Sequence, residues 1–206
     1  MSKRETPVPQ ERYSGPEHET DLFGSMPNYR SPEFAEKLAK ISEPNGYAPR
    51  DKMIRLFIDH PEIQPGASIK DAQGQSEHSP ENPKSEFLND LRIGVLDALG
   101  ADPDDPAALR VEMFNALKSP LDAFHGIDGF LVVHDKEKDV VITMDASLNQ
   151  DKLATGYKAD IIIGDVPSAV FEGDKYLARI EELSAELVKI LHADSQPSPN
   201  IYRGVA

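Results

Sequence analysis

The chain has 206 residues and no cysteine, with 22 Lys+Arg against 36 Asp+Glu and a net charge of -14. These counts exclude a disulfide scaffold, cysteine-based zinc sites and cysteine nucleophiles, and no apolar run approaches the ~18 residues of a membrane span. Nothing after Met1-Ser2-Lys3-Arg4 supplies the apolar core of a signal peptide, so the expectation is a cytoplasmic protein without membrane association. Such acidity opposes a phosphate backbone, and nucleic-acid binding is disfavoured unless a local patch carries it.

Proline and charge are unevenly spread. The first 85 residues hold 11 of the 17 prolines and a net charge of -3, while the remaining 121 carry -11. Residues 1–30 show no apolar period and predict a disordered tail, because nothing offsets the entropy of ordering them. Residues 31–63 predict short helices. Ser31-Pro32-Glu33 supplies N-cap, N1 and a first-turn acid for a helix through Ile41, with Phe34, Leu38 and Ile41 on one side, and a second helix spans Asp51 to Asp59. These helices dock on the main domain or on a partner. Residues 64–84, rich in Gly, Ser, Gln, Asn and Pro, predict a flexible linker.

Residues 85–206 predict one α/β domain with a mixed sheet. Ser85-Glu86 opens a helix that ends at Gly100, a residue favoured just past a helix C-terminus. Asp105-Pro106 predicts a further helix to about Lys118, and two apolar runs, Ile127 to His134 and Val140 to Ser147, predict a hairpin. A third strand from Ala159 to Ile163, a long amphipathic helix from Glu172 to His192 and a weak strand from Asn200 to Val205 complete the order.

Strand residues alternate faces, so the parity of the hairpin loop decides which side chains share a face. An even, four-residue loop places Ile127, Gly129, Leu131 and Val133 with Val140, Ile142, Met144 and Ala146 on one apolar face. An odd loop would put Asp145 among them, which is costly for an unpartnered carboxylate. In the even register Asp128 lies across from Asp145, about 5 Å apart at Cβ, and two like charges at that range call for a cation or a shared proton. Mg²⁺ fits, being a hard cation that takes oxygen ligands; the bland reading is a pair of exposed carboxylates capping turns. Glu112, on the flank of the stripe Leu109, Met113, Ala116 and Leu117, could point towards the hairpin as a third carboxylate or could be an ordinary boundary glutamate. His125, three residues before Asp128, reads as ligand, proton carrier or loop residue.

The order helix, hairpin, third strand, helix, with Glu112, Asp128 in Phe124-His125-Gly126-Ile127-Asp128-Gly129 and Asp145 in Val141-Ile142-Thr143-Met144-Asp145-Ala146-Ser147, resembles the PD-(D/E)xK nuclease superfamily over about residues 105–206. The resemblance implies a restriction-endonuclease-like fold, with Glu112, Asp128 and Asp145 holding Mg²⁺ or Mn²⁺ for phosphodiester hydrolysis by a metal-generated hydroxide. The motif lysine, two positions after the second acid, is replaced by Ser147, which leaves Lys152 or Lys158 to reach the site from the following segment. The segment from Ser119 to Gly126 is also too short for the strand expected before the aspartate. The alternative is a catalytically inactive relative that binds a basic protein partner through its acidic surface; a metal enzyme acting on a small molecule is a third reading.

Overall fold

The computed structural model describes residues 15–68, 76–101, 110–134, 139–148 and 158–194. Three helices come first: α1 (Gly15–Phe23), α2 (Pro32–Ile41) and α3 (Arg50–Asp59), the last followed by a single 3-10 turn at Pro61–Ile63. The order continues α4 (Glu86–Ala98), β1 (Arg110–Asn115), α5 (Pro120–His125), β2 (Gly129–His134), β3 (Asp139–Ala146), β4 (Ile161–Ile163) and α6 (Gly173–Asp194). The strands form one mixed sheet in the order β1-β2-β3-β4, antiparallel except for the parallel β3–β4 pair. No helix among the described residues is long and apolar enough to cross a membrane.

Capping chemistry explains where several helices begin. The Ser31 hydroxyl accepts the N–H of Phe34 with Pro32 at N1, and Ser85 does the same for Leu88 at the start of α4. Helix α4 closes into Gly100, whose φ of 67° a residue with a side chain rarely adopts.

Both faces of the sheet are covered. One face, carrying Val111, Met113, Leu131, Val133, Ile142 and Met144, packs under α1, α4 and α6. The other, carrying Phe114, Phe130 and Val132, packs under α2, α3 and α5, with the Phe114 and Phe130 rings stacked at 4.8 Å. Residues 31–63 therefore belong to the core of the same body, since Phe34, Met53 and Phe57 are buried against the sheet.

Several expectations are corrected. Glu112 lies on a strand: the helix predicted from Pro106 to Lys118 is replaced over Arg110–Asn115 by β1, which pairs with β2, while residues 102–109 lie outside the described residues. The predicted disordered tail contains α1, whose Leu22 and Phe23 are buried in the first core. The predicted linker packs along the outer edge of β1 where it is described: the Met113 N–H donates to the Pro80 carbonyl (2.8 Å), and Gln64 is buried against Asn115. That covers a sheet edge that would otherwise expose unpaired donors and acceptors. The segment before Gly126 is helix α5. The strand predicted over 200–205 lies outside the described residues.

Candidate functional site

The hairpin register is the even one. Gly129 pairs with Met144 and His134 with Asp139, which leaves four residues in the loop. Alternation then breaks on passing Asp128, because Ile127 joins the core of Phe114 and Phe130 instead of the face expected for it. At this point the Asp128 N–H donates to the Met144 carbonyl (2.9 Å), and the Asp128 carbonyl accepts from Ala116 (2.7 Å). Its carboxylate Oδ2 accepts the N–H of Ala146 at 2.8 Å, beside Asp145.

Both aspartates are buried, Asp128 at 2 % exposure and Asp145 at 3 %. Burial pushes the Asp128 carboxyl up to about 8; the Ala146 N–H opposes this, and the carboxylates of Asp122, Asp145 and Glu19 reinforce it. Asp128 is thus predominantly protonated at neutral pH. A proton on Asp128 is one of the two ways, beside a cation, in which the like-charge conflict with Asp145 can be relieved.

The third carboxylate stands elsewhere. Glu112 pairs across the ladder with Val132, four positions along β2 from Asp128, or roughly 13 Å at the usual strand rise. There the Glu112 carboxylate meets His134 Nε2 at 2.9 Å and Arg110 Nη2 at 3.4 Å, while His134 Nδ1 meets Asp139 at 2.8 Å. Glu112 belongs to an ion cluster at the hairpin end of the sheet. Among the described residues no three His, Asp or Glu side chains form a group that could hold a metal ion.

The other residues singled out in the sequence have visible tasks. His125 is buried, with Nε2 2.8 Å from the Ala48 carbonyl oxygen and its ring beside Tyr47, so it ties α5 to the segment before α3. Lys158 Nζ donates to the Phe124 carbonyl at 3.3 Å. Ser147, at the position of the motif lysine, donates its N–H to the Ile163 carbonyl and extends the parallel ladder. Lys152 lies outside the described residues.

Two polar networks had no signal in the sequence. Asn115, buried, donates from Nδ2 to the carbonyls of Phe23 (2.6 Å) and Ser25 (2.8 Å), and its backbone exchanges bonds with the Gln64 amide. It joins α1, the chain after α3 and β1 at the wall of a cleft of about 130 Å³ that Phe23, Leu88 and Met113 also line. Thr143 donates its hydroxyl to Asp160 (2.6 Å) and accepts from Arg50 Nη2 (2.8 Å), which pins α3 to the segment before β4.

Charge is divided by layer. The helices over the first face, α1, α4 and α6, hold eleven acids and four bases, whereas α2, α3 and α5 hold five of each. On the acidic side, in and beside α6, stand the three most exposed large apolar residues: Phe171 at 87 %, Val170 at 81 % and Leu177 at 59 %. No protein-family model, curated protein or solved structure matches the chain.

Proposed function

We propose that the chain is a non-catalytic interaction module that binds a basic protein partner through its acidic surface. The division of charge between the two outer layers carries this reading, because one layer is neutral and the other holds nearly three acids for every base. Electrostatic complementarity of that kind steers a cationic partner to one side of the molecule. The position of Glu112, held by His134 and Arg110 away from Asp128, and of Ser147 where a motif lysine would stand, weighs in the same direction.

A Mg²⁺-dependent phosphodiesterase is the second reading. In its favour are two aspartates buried side by side at the end of β3. Against it, Glu112 serves another cluster, and among the described residues no third His, Asp or Glu joins Asp128 and Asp145 in a group that could hold the ion.

One comparison separates the two. The full chain and the Asp128→Asn/Asp145→Asn variant are incubated with single-stranded, duplex and branched DNA and with RNA, in Mg²⁺ or Mn²⁺. The module reading expects the same background in both proteins, together with salt-sensitive binding of a lysine-rich polypeptide by both. Cleavage by the wild type that the variant loses would overturn it.

A further inference from the structure

Resting on the module reading, we infer that the docking site is the outer face at the start of α6, where Tyr176 donates its hydroxyl to Asp90 of α4, and that its occupant is a basic amphipathic segment of a partner protein anchored on Phe171. The exposed apolar residues here are held in place. The N–H of Phe171 donates to the Ser168 hydroxyl (3.4 Å), that of Glu172 to the Ser168 carbonyl (2.8 Å), and that of Tyr176 to the Glu172 carbonyl (2.9 Å). The turn therefore runs directly into α6 with Val170 and Phe171 facing water. Leu177 is seven positions before Ser184, two helical turns, so the two share a flank of α6. Ser184 meets Gly94 of α4, and Gly94 follows Ile93, which is itself 42 % exposed. Val170, Phe171 and Leu177 thus stand exposed at the start of α6, on the flank that leads to the Gly94–Ser184 contact with α4, and an ordered patch of this kind marks an interaction surface.

Charge decides what covers it. The two bases nearest the patch are already engaged, Lys175 with Glu172 and Arg179 with Glu182, each at 2.6 Å. Asp174 and Glu181 flank Leu177 on the exposed side of α6 with no basic partner among the described residues. A second copy of the chain meeting this face through a two-fold axis would set acid against acid, and a nucleic acid would bring phosphates to carboxylates. A segment with apolar residues on one side and Lys or Arg around them satisfies both features, the apolar side seating on Val170, Phe171 and Leu177. An aromatic ring at the centre of such a contact is the usual energetic anchor.

The probe is a synthetic helical peptide with leucines on one face and lysines on the other, titrated into the isotopically labelled full chain and followed by NMR. A scrambled peptide of the same composition serves as control. Shifts concentrated in residues 168–194 and in α4 are expected, with affinity reduced at least tenfold by Val170→Ser/Phe171→Ser and several-fold by Asp174→Lys/Glu181→Lys, and with weaker binding of the scrambled peptide. All four substituted positions are exposed, so folding is checked by an unchanged amide spectrum elsewhere. Shifts mapping to α2 and α3, or affinity indifferent to the Phe171 variant, would overturn this face while leaving an acidic module standing. Absence of binding at millimolar peptide would overturn both, and self-association through Phe171 that excludes the peptide would replace the basic partner with a second copy.

Discussion

A carboxyl group that ionises near pH 8 in the folded chain and near pH 4 in the unfolded chain makes stability depend on pH with a definite sign. Between those values the folded state holds a proton that the unfolded state has released. The contribution of Asp128 is therefore fully present below about pH 4 and is lost as pH rises through about 8. Each pK unit corresponds to about 1.4 kcal/mol, so the stability lost over this window is on the order of a few kcal/mol. Asp128→Asn keeps an oxygen for the Ala146 N–H and cannot ionise. Urea unfolding at pH 5, 7 and 9 is expected to show the wild type weakening as pH rises and the variant staying nearly flat, more stable than the wild type at pH 9. A wild type that gains stability over the same range would contradict the burial argument. Asn115 is the other decisive residue: Asn115→Ala leaves the carbonyls of Phe23 and Ser25 without donors, and a loss of about 2–4 kcal/mol in chemical unfolding is expected.

The residue pairing was legible because parity is a strict constraint. The hydrophobic pattern of residues 127–147 admits one register without placing Asp145 in an apolar face, and that register is the one formed. Glu112 was misplaced for a related reason. Arg110–Asn115 has both faces buried, so its apolar residues lose the alternation that marks a half-buried strand, and Met113, Ala116 and Leu117 fall at helical spacing by coincidence.

At the scale of elements, the helices expected from the Ser31 and Ser85 caps formed where those caps stand, α3 and α6 were legible from their apolar residues alone, and the helix expected from Asp105-Pro106 gave way to β1 over Arg110–Asn115. Helix α5 is an instructive intermediate: Ser119-Pro120 is the same N-cap and N1 pair as Ser31-Pro32, and Gly126 ends the helix at φ 60°, yet Pro120 reads equally well as the stop of a preceding helix. Helix α1 buries Leu22, Phe23 and His18, whose Nε2 lies 3.1 Å from the Gly164 carbonyl oxygen, and no period announces it. Its seat is specific, however. A side chain added at Gly129 would collide with the Phe23 ring and approach the Phe114 carbonyl oxygen at 2.9 Å, so strand β2 is kept bare where α1 crosses it. Phe23→Ala is expected to cost about 3–5 kcal/mol, and Gly129→Val to destabilise through overpacking at the same contact. Melting temperatures of both variants check this; near-wild-type values would mean that α1 is not seated on the sheet. Gly94 performs the same service between α4 and α6, where an added side chain would meet the Ser184 hydroxyl and Ile180. Gly94→Leu is expected to loosen that pair and lower the melting temperature by several degrees.

Over the whole molecule, the helices on one side of the sheet carry a net charge of -7 (eleven acids, four bases) of the chain's -14, and those on the other side carry none. Layers built from α2, α3 and α5 balance their charges, and those from α1, α4 and α6 do not. No linear reading of the sequence could supply this, because the sheet that separates the layers is formed from strands that come after most of the helices. The test closest to the central claim is calorimetric titration of the lysine-leucine helical peptide into three full-length proteins: the wild type, Asp128→Asn/Asp145→Asn and Val170→Ser/Phe171→Ser. Unchanged affinity in the aspartate variant and at least tenfold weaker binding in the Val170/Phe171 variant is the predicted result. The reverse pattern, with the aspartate pair governing binding and the apolar patch irrelevant, would contradict the account.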